Sequence, residues 1–267
     1  VIWVDKGVFI RPQIMQILRG KALKLIHFTP DPAFLFHHSR FFEQSLPLYD
    51  CCITTKSFEI EKYYEHGAKR VSFCTQGFDP LVHHPLHKPA EKQGVAFIGH
   101  REDDREWVIA SLLQRKIPVK IAGVGWKRFA ARHKGYANLN YMGEGIFGRA
   151  YTEAISGSLI SLGFLSRIIP EKHTTRTFEI PACRTALVTE KTEEIRSFYE
   201  DDEVLFFNDI HEVPDLIEQA LKDVALIDSI AEKGYARVRN AGFDYESIMR
   251  RLLQETGISR SEVSADS

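Results

Sequence analysis

The sequence is poor in the features that mark specialised chain classes. Of its 267 residues only four are cysteine, Cys51, Cys52, Cys74 and Cys183. No two of them have the C-x-x-C spacing of a redox or zinc motif. Neighbours Cys51 and Cys52 point to opposite faces of a strand, so free thiols in a reducing cytoplasm are expected. There is no basic excess: 35 Lys plus Arg stand against 36 Asp plus Glu, a formal charge of −1. That balance argues against a dedicated nucleic-acid binder. The longest uncharged run, residues 154–166, is too short and too rich in Ser and Gly to cross a bilayer. No transmembrane segment is expected, and the opening residues carry no signal-peptide pattern. An initiator methionine is also missing, and Val1-Ile2-Trp3-Val4 already reads as a strand. An N-terminal truncation of a longer chain is therefore expected. What remains, 44% hydrophobic and 27% charged with 17 Gly and 11 Pro, is ordinary globular composition.

Short apolar runs alternate with amphipathic segments along almost the whole chain. Strands are expected at 1–4, 23–28, 51–54 and 71–73, then at 95–98, 119–122, 139–141, 159–162, 186–189 and 204–207. Helices are expected between them, such as 105–115, with Trp107, Ala110, Leu112 and Leu113 inward, and 213–221. Strands separated by helices imply parallel sheets with right-handed crossovers. Residues 81–93 hold Pro85 and Pro89 with His83, His84 and His87, follow no period, and read as a linker. The expected architecture is α/β, two Rossmann-like doubly wound domains facing across a cleft. A partial first domain covers 1–80, the second covers 94–240, and a helix with a polar tail ends the chain over 241–267.

The run Glu171-Lys172-His173-Thr174-Thr175-Arg176-Thr177-Phe178-Glu179 follows Pro170 and reads as a helix start capped by His173 or Thr174. Free amides and the dipole at such a start suit phosphate; Thr174 and Thr175 add hydroxyls and Arg176 a cationic fork. Glu179, farther in, has the wrong sign for phosphate but can accept from two vicinal hydroxyls, as on a ribose. The alternative is an ordinary helix start with a solvated Glu and Arg. Glycines close three successive strands, in Gly99-His100-Arg101, Gly123-Val124-Gly125 and Gly143-Glu144-Gly145, at the edge where doubly wound sheets bind ligands. No Walker loop or G-x-S-x-G occurs, which disfavours P-loop ATP hydrolysis and serine hydrolysis. In the first domain, Asp31 sits between Pro30 and Pro32 with His37 and His38 beyond, an acceptor-side base or a plain turn residue. The tract His83-His84-Pro85-Leu86-His87 looks like a metal run, but Pro85 breaks the helical pair and no acid adjoins, so no metal site is expected.

The block Arg176-Thr177-Phe178-Glu179-Ile180-Pro181-Ala182-Cys183-Arg184, ending at Thr189, resembles the signature of group 1 glycosyltransferases. Within them it is most similar to the branch of spore-maturation CgeB-like proteins, which reads R-x-F-E-x-x-A-C-G-x-x-x-x-T. Glu171 and Glu179 match the paired acids of the wider group in spacing. Gly99 with Arg105-Glu106, Gly123 to Trp126, Asp201 to Phe207 and Gly234 to Val238 also fit. The resemblance implies a GT-B fold, with the nucleotide-sugar donor in the second domain and the acceptor against the first. It implies that Glu179 holds the ribose and that Gly99 and Gly143 line the nucleotide pocket. It further implies that Arg105, Lys172 and Arg176 face the diphosphate without a metal or other cofactor. Two departures stand out: Arg184 replaces the usual glycine, and Phe243-Asp244-Tyr245 replaces His-Thr-Tyr.

The expectation is therefore a cytoplasmic glycosyltransferase of hexosyl type. Its donor would be a UDP- or GDP-type sugar and its acceptor a cell-surface glycan or a protein. The alternative is a catalytically silent nucleotide-sugar-binding module, suggested by the truncation and by Arg184.

Overall fold

The computed structural model describes residues 1–35 and 39–258. His37, His38 and the polar tail after residue 258 lie outside the described residues. The chain divides into two compact units, Val1–Gln76 together with Tyr245–Ser267, and Gly77–Asp244.

The first unit begins with β1 (Ile2–Asp5), α1 (Pro12–Lys21) and β2 (Leu25–Thr29). It continues with α2 (Arg40–Ser45), β3 (Cys51–Thr54), α3 (Ile60–Glu65) and β4 (Val71–Phe73). The four strands are all parallel and lie in chain order. Crossovers of one hand that always step the same way leave their helices on one face, where Met15, Phe42 and Tyr63 pack on Leu25 and Cys52. The other face needs a cover too. It carries Ile26, Cys51, Ile53 and Cys74, and a helix from the chain's end supplies Ile248 and Leu252 against them.

The second unit runs β5 (Val95–Ile98), α4 (Asp103–Gln114), β6 (Val119–Ala122), α5 (Trp126–Arg132) and β7 (Leu139–Tyr141). Then come α6 (Gly148–Ser156), β8 (Ile160–Leu162), α7 (Arg176–Ala182), β9 (Ala186–Glu190) and α8 (Glu193–Arg196). It ends with β10 (Leu205–Phe207), α9 (Val213–Ala220) and α10 (Val224–Asn240). The helix α11 (Tyr245–Glu255) is the one that returns to the first unit. The sheet order β10-β9-β8-β5-β6-β7 is the doubly wound arrangement, with the order reversing between β5 and β8. Side-chain alternation along β5 shows both faces buried. Val95 and Phe97 meet α4 and α9, while Ala96 and Ile98 meet α6 and α7.

Two boundaries differ from the sequence reading. Residues 81–93 belong to the second unit, because their polar backbone is satisfied by α6. Leu86 and His87 donate their amides to Ser156 Oγ at 2.7 and 3.2 Å, and Thr152 Oγ1 donates to Val82 O at 2.9 Å. Of the expected end piece, Tyr245–Glu255 (α11) is not separate but completes the first unit's core. Leu112 and Leu113 of α4 are buried as expected, but Trp107, also expected inward, is 42% exposed, and Val108 and Ile109 lie on the inner face.

Pro181 lies inside α7 and has no N–H to offer the Thr177 carbonyl one turn back. The buried Tyr199 hydroxyl makes that bond instead, at 2.7 Å. Tyr199→Phe leaves a buried carbonyl unpaired and is expected to cost about 1–3 kcal/mol. The check is the thermal midpoint, at roughly 2–4 °C per kcal/mol for a chain of this size. An unchanged midpoint would mean that water replaces the hydroxyl.

Candidate functional site

The carboxyl ends of β5, β6 and β7 are stitched together through glycine backbone. Gly99 N donates to Ala122 O at 2.9 Å and Gly123 N to Gly143 O at 3.0 Å. Gly123 has φ +135°, and a Cβ there would sit 2.1 Å from Gly99 O, so only glycine fits. Trp126, fully buried in α5, donates Nε1 to that same carbonyl at 2.8 Å. These turns form one wall of an open cavity of about 350 Å³. Its lining includes Ile98, Gly99, His100, Gly123 and Val124, then the loop Glu144 to Gly148, with Tyr151, Thr175, Arg176, Glu179 and His83.

The opposing wall is the start of α7. Its first backbone bonds run from Thr177 N to Thr174 O, and from Phe178 N and Glu179 N to Thr175 O. The amides of Thr175 and Arg176 thus precede the helical ladder. Thr175 is the N-cap residue but makes no side-chain cap. The expected cap by Thr174 or His173 is absent. Thr174 is buried and its amide donates to Thr177 Oγ1 at 3.1 Å, while the Thr174 hydroxyl has no hydrogen-bond partner. His173 is buried against Glu194, with Nδ1 2.5 Å from Oε1.

Arg176 donates Nη2 to Phe164 O at 3.4 Å, a long bond, and its buried Nε has no partner. Glu179, less than one turn inward, accepts from Tyr151 Oη at 2.7 Å. Its other oxygen lies 3.7 Å from His83 Nε2. Burial, together with the nearby carboxylate, raises the Tyr151 pKa well above its ordinary value, so the phenol stays a donor. Burial lowers the His83 pKa against the opposing pull of Glu179 and Asp79.

Of the residues expected to form the site, Gly99, His100, Gly123, Thr175, Arg176 and Glu179 meet at this cavity. Gly143 stands behind the wall, accepting from Gly123. Arg105 does not face the cavity. It is 4% exposed, and its guanidinium is held by His100 O and Leu165 O, both at 2.9 Å, and by Glu102. A cation placed i to i+3 from an acid on an inward helix face is drawn under the loops, where it anchors the His100 turn. Thr174, Glu171 and Lys172 are also outside the lining, since all three precede α7 and its N-cap Thr175. Asp31 belongs to the first unit, where it pairs with Lys6 Nζ at 2.5 Å. Arg184 has φ +55°, the left-handed turn that glycine would take freely, and its side chain pairs with Glu232 of α10 rather than entering the cavity.

The sequence does not point to His83 or Tyr151 as part of this site. Tyr151 lies on the apolar stripe of α6 with Ala154 and Ile155, where an aromatic reads as core. In the sequence His83 reads only as a metal ligand beside His84 and His87, because Glu179, which it faces, is far away along the chain.

Solved structures of similar fold set the class: the chain has the GT-B fold of glycosyltransferases. Sucrose-phosphate synthase from Thermosynechococcus elongatus superposes with a TM-score of 0.65 at 16% identity, covering 91% of this chain and 70% of that one. HepE from Anabaena, in complex with UDP and glucose, gives 0.66 at 13% identity, covering 92% of this chain and 76% of that one. The UDP-forming trehalose-phosphate synthase from Burkholderia vietnamiensis gives 0.66 at 14% identity, covering 100% and 74%. No curated protein matches the chain significantly. The chain itself belongs to the glycosyl transferase-like family, whose model matches residues 101–254, more than half its length.

Proposed function

We propose that the chain transfers a hexosyl group from a nucleoside diphosphate sugar to a glycan or protein acceptor in the cytoplasm, without a metal. One observation carries this reading. The Glu179 carboxylate opens onto the cavity beside Arg176 and the leading amides of α7. An acid suited to a ribose and a cation suited to a diphosphate then stand within one helical turn. Departure of the diphosphate builds charge that Arg176 and those amides are placed to receive. HepE, with UDP and UDP-glucose bound in its structures, lends the reading support from a chain of like fold. The block from Arg176 to Cys183 places the chain, in our reading, near the CgeB-like branch.

The test is a thermal-shift panel of UDP, GDP, ADP, CMP and dTDP. A ligand at a hundred times its dissociation constant adds about 2.7 kcal/mol of stability. One of the ribonucleoside diphosphates is expected to give that shift, undiminished by EDTA. Slow release of sugar from the matching donor is expected as well. Binding without release would favour the silent module, and a flat panel would overturn both.

A further inference from the structure

Glu179 is held by one side chain and faced by a second, and no sequence motif joins either to it. Tyr151 reaches it from α6, with the phenol donating to Oε2 at 2.7 Å. His83 faces its other oxygen at 3.7 Å. The imidazole tautomer follows from a third contact. Asp79 N–H donates to His83 Nδ1 at 3.1 Å, so Nδ1 carries the lone pair and the proton sits on Nε2, toward Glu179. The two rings meet edge to face, with centroids 5.7 Å apart, so each also buttresses the other.

A glutamate turns about three side-chain bonds, and ordering it on ligand binding opposes affinity. Here the ordering precedes the ligand. An ionised carboxylate has about four acceptor sites, so with one given to Tyr151 both oxygens keep capacity for further donors. Two oxygens on a rigid carboxylate match two hydroxyls on adjacent carbons. A sugar with only one of them leaves an oxygen unmatched.

We infer that Tyr151 is a positioning residue which, flanked by His83, sets Glu179 for a vicinal diol, so that the site takes ribonucleoside diphosphates over their 2′-deoxy counterparts. This rests on the assignment of Glu179 to the ribose, and the experiment separates the two. Dissociation constants are measured by calorimetry for UDP, 2′-deoxy-UDP, GDP and 2′-deoxy-GDP. The proteins are the wild type, Tyr151→Phe, His83→Ala and Glu179→Ala. The wild type is expected to prefer the ribo form of the winning base by about tenfold or more, the worth of one charge-assisted hydrogen bond. Tyr151→Phe keeps the ring and removes only the hydroxyl. It is expected to weaken the ribo form about tenfold and the deoxy form less than about twofold, so that the preference collapses. His83→Ala is expected to act in the same direction and less. Equal losses on both forms would make Tyr151 merely structural and overturn the inference, as would an undiminished preference. Wild-type binding that ignores Glu179→Ala would overturn the ribose assignment itself. No binding of any of the four would overturn the proposed function and this inference with it.

Discussion

Glu179→Ala is expected to weaken nucleoside diphosphate binding by a hundredfold or more and to end any sugar transfer. Two hydroxyls donating to a carboxylate are worth about 1.5–3 kcal/mol each, and tenfold in affinity corresponds to about 1.4 kcal/mol. The truncation also strips the Tyr151 phenol of its partner, so a modest loss of stability accompanies the loss of binding. Glu179→Gln separates the effects, since it keeps one acceptor oxygen and nearly the same shape. It is expected to fall between wild type and alanine in affinity. Isothermal calorimetry with the nucleotide that wins the panel reads both. An alanine variant that binds as the wild type does would mean the ribose lies elsewhere.

The second large effect is structural and concerns Gly123→Ala. The added methyl meets Gly99 O at 2.1 Å and Gly99 C at 2.6 Å, both backbone atoms, at a φ of +135° that a side chain rarely tolerates. Neither neighbour can swing aside. Gly99 is tied to Ala122 by its amide and to Trp126 by its carbonyl. The ends of β5 and β6 would have to part, taking one wall of the cavity with them. Strain at such a φ and overpacking each cost about 1–3 kcal/mol. A fall in the thermal midpoint of roughly 5–15 °C, with loss of nucleotide binding, is expected. Gly135→Ala is the control, because a Cβ there meets nothing within 4 Å and φ is ordinary. A variant of Gly123 with the control's midpoint would show that the turn can relax.

Much of the framework was open to reading because local causes produce it. The strands 51–54, 71–73, 95–98, 119–122 and 139–141 have the expected bounds, and the inner strands 51–54 and 95–98, buried on both faces, are written as short hydrophobic blocks. The start of α7 shifted because its capping signal was ambiguous: several hydroxyl residues in a row each offer a cap. Helix α4 misled for another reason. Its wide apolar content lets two neighbouring stripes compete, and only the sheet beneath selects Val108 and Ile109 over Trp107.

The site divides along the same line. Sequence alone determined the parallel α/β class, the three glycine turns, and the pairing of Arg176 with Glu179 on one short helix, because each depends on residues within a turn or two of one another. Tertiary structure alone decided that Arg105 is buried under the His100 loop, that α11 closes the first unit's sheet, and that Tyr151 and His83 converge on Glu179. Those outcomes depend on which surfaces are left uncovered once every crossover is made. A hydrogen bond between distant segments has no spacing to betray it.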